Sequence, residues 1–297
     1  MQRRSTLQQQ PVAANEAREF VFTGADFLRI QKLIHRRAGI SLAPSKQEMV
    51  YGRLARRLRG HRLTRFADYL ALLEGGGEAE WQAFVNALTT NLTSFFREPH
   101  HFAELTRLFE SRRGRRDRIT IWCSASSTGE EPYSIAMTAV DAFGSFMPPV
   151  TIVATDVDTN VLEKADAGVY TRECVEKLHP EQLRRFFVKG DGPDETAVRV
   201  RPELRALLTF RQLNLLDTSW PVRGPFDAIF CRNVMIYFDK PTQRQVLQNL
   251  APLLRPDGLL FAGHSESFLH SADVFRLRGN TVYELAQTVR QVAAGRP

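Results

Sequence analysis

From Thr23 to about Arg113 the apolar residues recur at intervals of three and four, the spacing of amphipathic helices. Phe27, Ile30, Leu33 and Ile34 define the first stripe, and Thr23 with Asp26 three residues later gives it a capping-type start. Ala38-Gly39-Ile40 ends that helix. A second is expected from Lys46 to Arg59, with Val50, Leu54 and Leu58 on one face and Arg53, Arg56 and Arg57 on another. Phe66–Leu73 and Trp81–Leu92 predict two more, separated by the loop Gly75-Gly76-Gly77.

From Arg118 short apolar runs alternate with helical stretches, the signature of a mostly parallel α/β sheet. The expected strands are Ile119–Cys123, Thr151–Thr155, Leu207–Gln212, Phe226–Phe230 and Gly258–Ala262, the last two flanking a helix from about Pro241 to Leu254. Val274–Arg278 and Thr281–Leu285 bracket Gly279-Asn280 and read as a closing hairpin, so the sheet is expected to be mixed. One segment interrupts the alternation. Between Tyr170 and Pro202, Arg185-Phe-Phe-Val188 and Ala197-Val-Arg-Val-Arg201 flank Lys189-Gly190-Asp191-Gly192-Pro193-Asp194, a small inserted hairpin. The expected division is a disordered leader 1–20, a helical domain 21–92, a linker and helix 93–117, and an α/β domain 118–287. The α/β domain holds an inserted β-subdomain at about 170–204, and a disordered tail 288–297 follows it.

Composition narrows this picture in three ways. No window of the 297 residues approaches the roughly 18 uninterrupted apolar positions of a membrane span. Met1–Ala17 is polar and lacks the apolar core of a signal peptide, so a cytoplasmic protein without membrane insertion is expected. Cys123, Cys174 and Cys231 are too far apart for a zinc motif or a disulfide framework. The charge is also unevenly placed: Arg29 to Arg65 carries 11 Lys/Arg and one acid, Glu48, within a chain of net +7.

The richest chemistry lies in Ile119–Met137: a strand, a loop of small residues (Ser124-Ala-Ser-Ser-Thr-Gly129), then Glu130-Glu131-Pro132 opening a helix. Such a crossing brings backbone N–H groups and small side chains close to a ligand. Two carboxylates there repel a phosphate and suit a ligand with an ammonium or sulfonium. Either glutamate can take that charge, and stabilisation of the helix start competes for both. Asp156, 27 residues after Gly129, ends the second strand where a carboxylate receives ribose hydroxyls, although it could instead cap the following helix as Asp158 does. A nucleoside with a cationic arm fits, and S-adenosylmethionine has that character. Cys231-Arg232-Asn233 and Tyr237 follow the fourth strand and suit substrate positioning, with Cys231 read as a small buried hydrophobe. Phe95-Phe96 should anchor Arg97 beside a cleft, and His100 and His101 are read as structural.

Together these segments closely resemble the bacterial chemotaxis receptor methyltransferases, the CheR family. The matching strings are Ala87-Leu-Thr-Thr-Asn-Leu-Thr-Ser-Phe-Phe-Arg-Glu98, Ser127-Thr-Gly-Glu-Glu-Pro-Tyr-Ser-Ile-Ala136, Ala154-Thr-Asp-Val-Asp158, Gly224–Lys240 and Pro256–Glu266. The resemblance covers nearly everything from Phe27 to Leu285. It implies a class I S-adenosylmethionine-dependent methyltransferase fold behind a small all-helical domain. The cofactor is then S-adenosylmethionine, the product S-adenosylhomocysteine, and no metal is involved. The implied cofactor residues are Asn91, Thr93, Arg97, Glu131, Asp156, Asn214, Leu215, Arg232 and Asn233, with Arg97 and Tyr237 flanking the transferred methyl. The implied acceptors are glutamates on the cytoplasmic helices of chemoreceptors. The basic face Arg53, Arg56, Arg57 and Arg59 then meets the acidic receptor. The inserted subdomain, through Lys189, Gly190, Gly192 and Arg199, resembles one that takes a receptor's C-terminal pentapeptide as an extra strand. Lys189 stands where the best-known members carry Arg. A nucleic-acid methyltransferase is the rival enzyme and a non-catalytic cofactor sensor the rival of another class. The positive charge is confined to the N-terminal helices, which argues against nucleic acid as a partner.

Overall fold

Thr23 starts the first helix as its side chain predicts: its Oγ1 accepts from the Asp26 amide (3.2 Å) while the Asp26 carboxylate accepts from the Thr23 amide (2.8 Å). The computed structural model describes residues 18–115, 117–189, 197–287 and 289. Residues 1–17 of the expected leader, Gly190 and Gly192 of the hairpin turn, and all of the expected tail but 289 lie outside the described residues. Four helices come first: α1 (Gly24–Ala38), α2 (Gln47–His61), α3 (Phe66–Gly75) and α4 (Glu78–Leu88). Their apolar stripes meet in one core in which Ile30, Ile34, Val50, Leu54, Phe66, Leu70 and Phe84 are fully buried. Each such side chain contributes roughly 1.5–3 kcal/mol by leaving water.

Helix α4 stops at Leu88, four residues short of the expected Leu92. The cause is local. Arg53 donates to the carbonyls of Leu88 (3.1 Å) and Thr89 (2.6 Å), and the Thr89 hydroxyl donates to Asp158 (2.7 Å). These bonds satisfy the helix end and draw residues 89–95 across the top of the sheet as irregular chain.

After α5 (His100–Arg112) come β1 (Ile119–Cys123), α6 (Glu130–Phe143), β2 (Val150–Asp156) and α7 (Thr159–Ala167). The insertion comprises β3 (Val169–Tyr170), α8 (Arg172–Val175), α9 (Pro180–Phe186), β4 (Phe187–Lys189), β5 (Val198–Val200) and α10 (Pro202–Arg205). It is larger than the expected hairpin, because β3 pairs with β5 and makes a three-stranded antiparallel sheet in the order β3-β5-β4. The chain then returns through β6 (Leu208–Gln212), β7 (Phe226–Phe230), α11 (Lys240–Leu250), β8 (Leu254–Phe261), β9 (Phe275–Gly279) and β10 (Val282–Leu285).

The large sheet runs β6-β2-β1-β7-β8-β10-β9, with its first five strands parallel and β10 antiparallel to both neighbours. Alternation along the strands gives it two buried faces. Ile121, Cys123, Ala228 and Phe230 pack into one core with α5 and α6, and Trp122, Ile229 and Leu260 into the other with α11. The chain leaves β1 toward β2 and β6, then crosses back to β7 on β1's other side. That reversal opens a crevice above the carboxyl ends of β1 and β7. Among the described residues no helix is long and apolar enough to cross a membrane.

Candidate functional site

A cleft of about 400 Å³ lies at this switch point, between the carboxyl edge of the sheet and the helical layer. Ser124, Ala125 and Ser127 enter it from the loop after β1, Asp156 and Val157 from the end of β2, Leu213–Leu215 from the end of β6, and Arg232–Phe238 from the segment after β7, Met235 excepted. Opposite them stand Ala38, Ile40, Met49 and Leu88 from the helical layer, with Asn91, Thr93 and Arg97 between.

The β1–α6 loop closes tightly. Gly129 has φ 100°, and a Cβ there would lie 2.7 Å from the Tyr170 hydroxyl and 3.0 Å from Ala165, so only glycine fits. The Asp156 carboxylate organises this loop from beneath. It accepts from the amides of Ser127 (2.8 Å) and Asp158 (3.0 Å) while still facing the cleft. Burial pushes its carboxyl up to about 6, against the opposing pull of those amides. The competing role as a cap falls to Asp158, which accepts from the Asn160 amide and starts α7.

The two adjacent acids separate. Glu131 lines the cleft, whereas Glu130 does not and accepts instead from the Thr128 hydroxyl (2.6 Å). Arg232, 3% exposed, donates to Glu131 (2.6 Å) and to the main-chain oxygen of Arg97 (2.5 Å), and lies 3.4 Å from the Glu98 carboxylate. Burial pushes the Glu131 carboxyl up, opposed by Arg232. Glu98 goes the other way: burial opposes it, but Arg232, His264 and Asn233 hold it below the usual carboxylate range. The charged lining mixes signs, Glu131 and Asp156 against Lys46, Arg97 and Arg232. A cationic arm such as an ammonium or sulfonium is therefore favoured only beside the two acids.

All ten residues expected around the cofactor and the methyl line this one cleft: Asn91, Thr93, Arg97, Glu131, Asp156, Asn214, Leu215, Arg232, Asn233 and Tyr237. Some of their polar ends are already engaged. Asn91 donates to Asp158 (2.8 Å), and Asn214 donates to the Arg37 carbonyl (2.8 Å) while accepting from the Leu216 amide (3.0 Å). Arg97 is half-buried and donates to the Leu92 carbonyl (2.9 Å).

The expected receptor-facing arginines do not form a free cationic face. Arg53 holds the end of α4, Arg57 pairs with Glu80, and Arg59 pairs with Glu19 (2.5 Å). Arg56 is exposed. Lys189 is exposed at the end of the edge strand β4 and Arg199 lies in the central strand β5 of the small sheet, and neither lines the cleft.

Sequence reading passed over Glu98, His264 and Glu266. Glu98 and Glu266 end two of the matching strings, but most of their partners lie 30 or more positions away. His101 is buried, and burial with nearby Arg232 depresses it to about 4, as expected of a structural histidine. Glu98, His100 and His101 bring ligand-type atoms within 4.8 Å of one another, and Arg232 beside Glu98 opposes a cation there. Cys231 is buried and its thiol is pushed up by that burial, as its reading as a small hydrophobe required.

A parallel sheet with an antiparallel end, a tight glycine loop after β1 and an acid closing β2 place the domain in the Rossmann-like class, with a cleft suited to the cofactor of S-adenosylmethionine-dependent methyltransferases. Comparison with known proteins agrees. The CheR methyltransferase SAM binding domain matches residues 91–284, and the CheR methyltransferase all-alpha domain matches residues 25–89. The chain is 55% identical to the chemotaxis protein methyltransferase of Klebsiella aerogenes over 92% of its length and 94% of that protein. It is 55% identical to that of Escherichia coli, over 89% and 91% of the two chains. With chemotaxis protein methyltransferase 2 of Pseudomonas aeruginosa the identity is 53%, over 93% and 98%. The chain belongs to the CheR methyltransferase family.

Proposed function

We propose that the enzyme methylates glutamate side chains on the cytoplasmic helices of chemoreceptors, giving glutamyl methyl esters. What carries the reading is the single cleft in which Asp156 and Glu131 stand beside Arg97 and Tyr237. The residues present fit S-adenosylmethionine. Asp156 offers a buried carboxylate to the ribose hydroxyls, the β1–α6 loop allows close backbone approach, and Glu131 offers a carboxylate in the cleft to the ammonium arm. Bound there, the cofactor supplies an electrophilic methyl whose bond to sulfur breaks as a carboxylate oxygen bonds to the carbon.

The acceptor needs no base. A glutamate has a reference pKa of about 4.3 and is ionised at neutral pH. The protein's task is therefore to align the carboxylate and remove part of its water. Arg97 and Tyr237 border the cleft and can hold the two acceptor oxygens in line. Arg97 is partly spent on the Leu92 carbonyl, which moderates its grip on the nucleophile. The remaining cations of the N-terminal layer, Arg56 and Lys46 among them, favour an acidic partner. For tethering, β4, an edge strand among the described residues, suits an added peptide strand, with Lys189 on it and Arg199 on its neighbour β5; the resemblance adds Gly190 and Gly192. The enzyme is expected to act in the cytoplasm.

The test incubates the protein with labelled S-adenosylmethionine and receptor cytoplasmic fragments, with and without their C-terminal tails. Label on the fragments, falling when the tail is removed, supports both parts. Transfer that ignores the tail removes the tethering role, and no transfer to any fragment defeats the substrate assignment.

A further inference from the structure

The segment after β7 carries six cleft residues, Asn233 and Tyr237 among them. Asn233 has φ 57°, in the left-handed region that few side chains adopt, and Met235–Tyr237 is one turn of 3₁₀ helix. Met235 is buried, Tyr237 half-buried and Ile236 exposed; the turn's carbonyls are held from outside, those of Met235 and Phe238 by the Gln243 side chain (2.8 and 3.0 Å) and that of Tyr237 by the Ser41 amide (2.8 Å). Four amide hydrogens around it need partners, and one side chain takes all of them.

That side chain is Glu266, 5% exposed. One carboxylate oxygen accepts from the amides of Asn233 (2.9 Å) and Gly263 (2.5 Å); the other accepts from Met235 (2.7 Å) and Ile236 (3.3 Å). The carboxylate thus sits at the N-terminal end of the 3₁₀ turn, where free amides and the local dipole favour an anion. It also ties the segment after β7 to the end of its parallel neighbour β8. The fit is close: a Cβ on residue 263 would lie 2.3 Å from the Asn233 side chain, so glycine is needed there. We infer that Glu266 is a positioning residue for methyl transfer, its carboxylate fixing the Asn233–Tyr237 turn so that the Tyr237 hydroxyl meets the acceptor. This rests on the role proposed above for Tyr237.

A glutamine cannot substitute. It keeps the size but offers one acceptor oxygen, and its amide nitrogen would face backbone N–H groups donor to donor. The turn should then relax while the fold around it persists. The test is a double-mutant cycle on the full-length protein, reading kcat for transfer to a receptor cytoplasmic fragment at saturating labelled cofactor. Glu266→Gln is expected to lower kcat by about 10- to 100-fold, the loss that a displacement of about 1 Å produces. In a Tyr237→Phe background the same change should cost less than about threefold, because both act through one hydroxyl. Losses that multiply, or a Glu266→Gln enzyme with unchanged kcat, overturn the inference. A wild-type rate in Tyr237→Phe alone is a different result: it removes the role of Tyr237 and this inference with it. If Glu266→Gln fails to fold, Glu266→Asp, with both acceptors on a shorter arm, goes through the same cycle and is judged by the same outcomes.

Discussion

Asp156 shows how one side chain can serve structure and ligand together. Its oxygens already accept two amides, yet the carboxylate faces the cleft, and burial raises it to about 6. The ionised form is the better acceptor for ribose hydroxyls, and protonation removes it. Cofactor affinity, followed by calorimetry, should be flat above about pH 7 and fall below about pH 6. Asp156→Asn should bind more weakly at neutral pH and lose most of that fall. Arg232 makes the opposite case, a charge whose removal is the damage. Arg232→Ala leaves Glu131 buried without its partner, and breaking a buried pair of this kind costs about 3–5 kcal/mol. A denaturant melt should show that loss; a change under about 1 kcal/mol, the usual size for an exposed pair, would contradict it. For the chemistry itself, Arg97→Ala and Tyr237→Phe should each lower kcat by about 10- to 100-fold. Near-normal rates in both would remove the two residues from the mechanism.

At the scale of elements, the strands and helices were legible because their periodicities are strong. β1 and β7 have the expected bounds, and α1 begins at the expected cap. What was not legible depends on contacts across space. Helix α4 ends early because Arg53, 35 positions away, caps its carbonyls. The small sheet gained a third strand because Val169–Tyr170, only two residues long, finds its partner in β5. The basic run Arg29–Arg65 reads as unbalanced, yet Arg29, Arg37, Arg57 and Arg59 pair with Glu74, Glu78, Glu80 and Glu19, all outside that run. In the same way eight of the ten cleft positions are legible through their motifs, and Asn214 and Leu215 come only with the family resemblance; Glu266 is not legible as a cleft support, because its partners are backbone amides. The two kinds of arginine on α2 should therefore behave differently. Arg57→Ala leaves the mostly buried Glu80 short of a partner and should destabilise by about 1–3 kcal/mol. Arg56→Ala should leave stability within about 0.5 kcal/mol and instead weaken kcat/KM for the receptor at low salt, the difference closing as salt rises. Equal effects of the two on stability would contradict this division.

Across the whole molecule, the cleft exists only where the helical layer meets the sheet. The Ser41 amide donates to the Tyr237 carbonyl (2.8 Å), a Cβ at Gly39 would meet the Phe238 ring at 3.0 Å, and Gln82 reaches the Val157 carbonyl (2.8 Å). The wall that would hold the cofactor and the face that would meet the receptor thus belong to one packed unit. On the function proposed above, helical layer, cleft and inserted sheet together serve an acidic helical partner presenting a carboxylate. That claim concerns the bond formed, and the bond can be read directly. A receptor cytoplasmic fragment is methylated with labelled S-adenosylmethionine, then treated with mild alkali. If the account is right, the label leaves as volatile methanol and maps beforehand to glutamate side chains. Label that withstands alkali, or that sits on any residue other than glutamate, contradicts it.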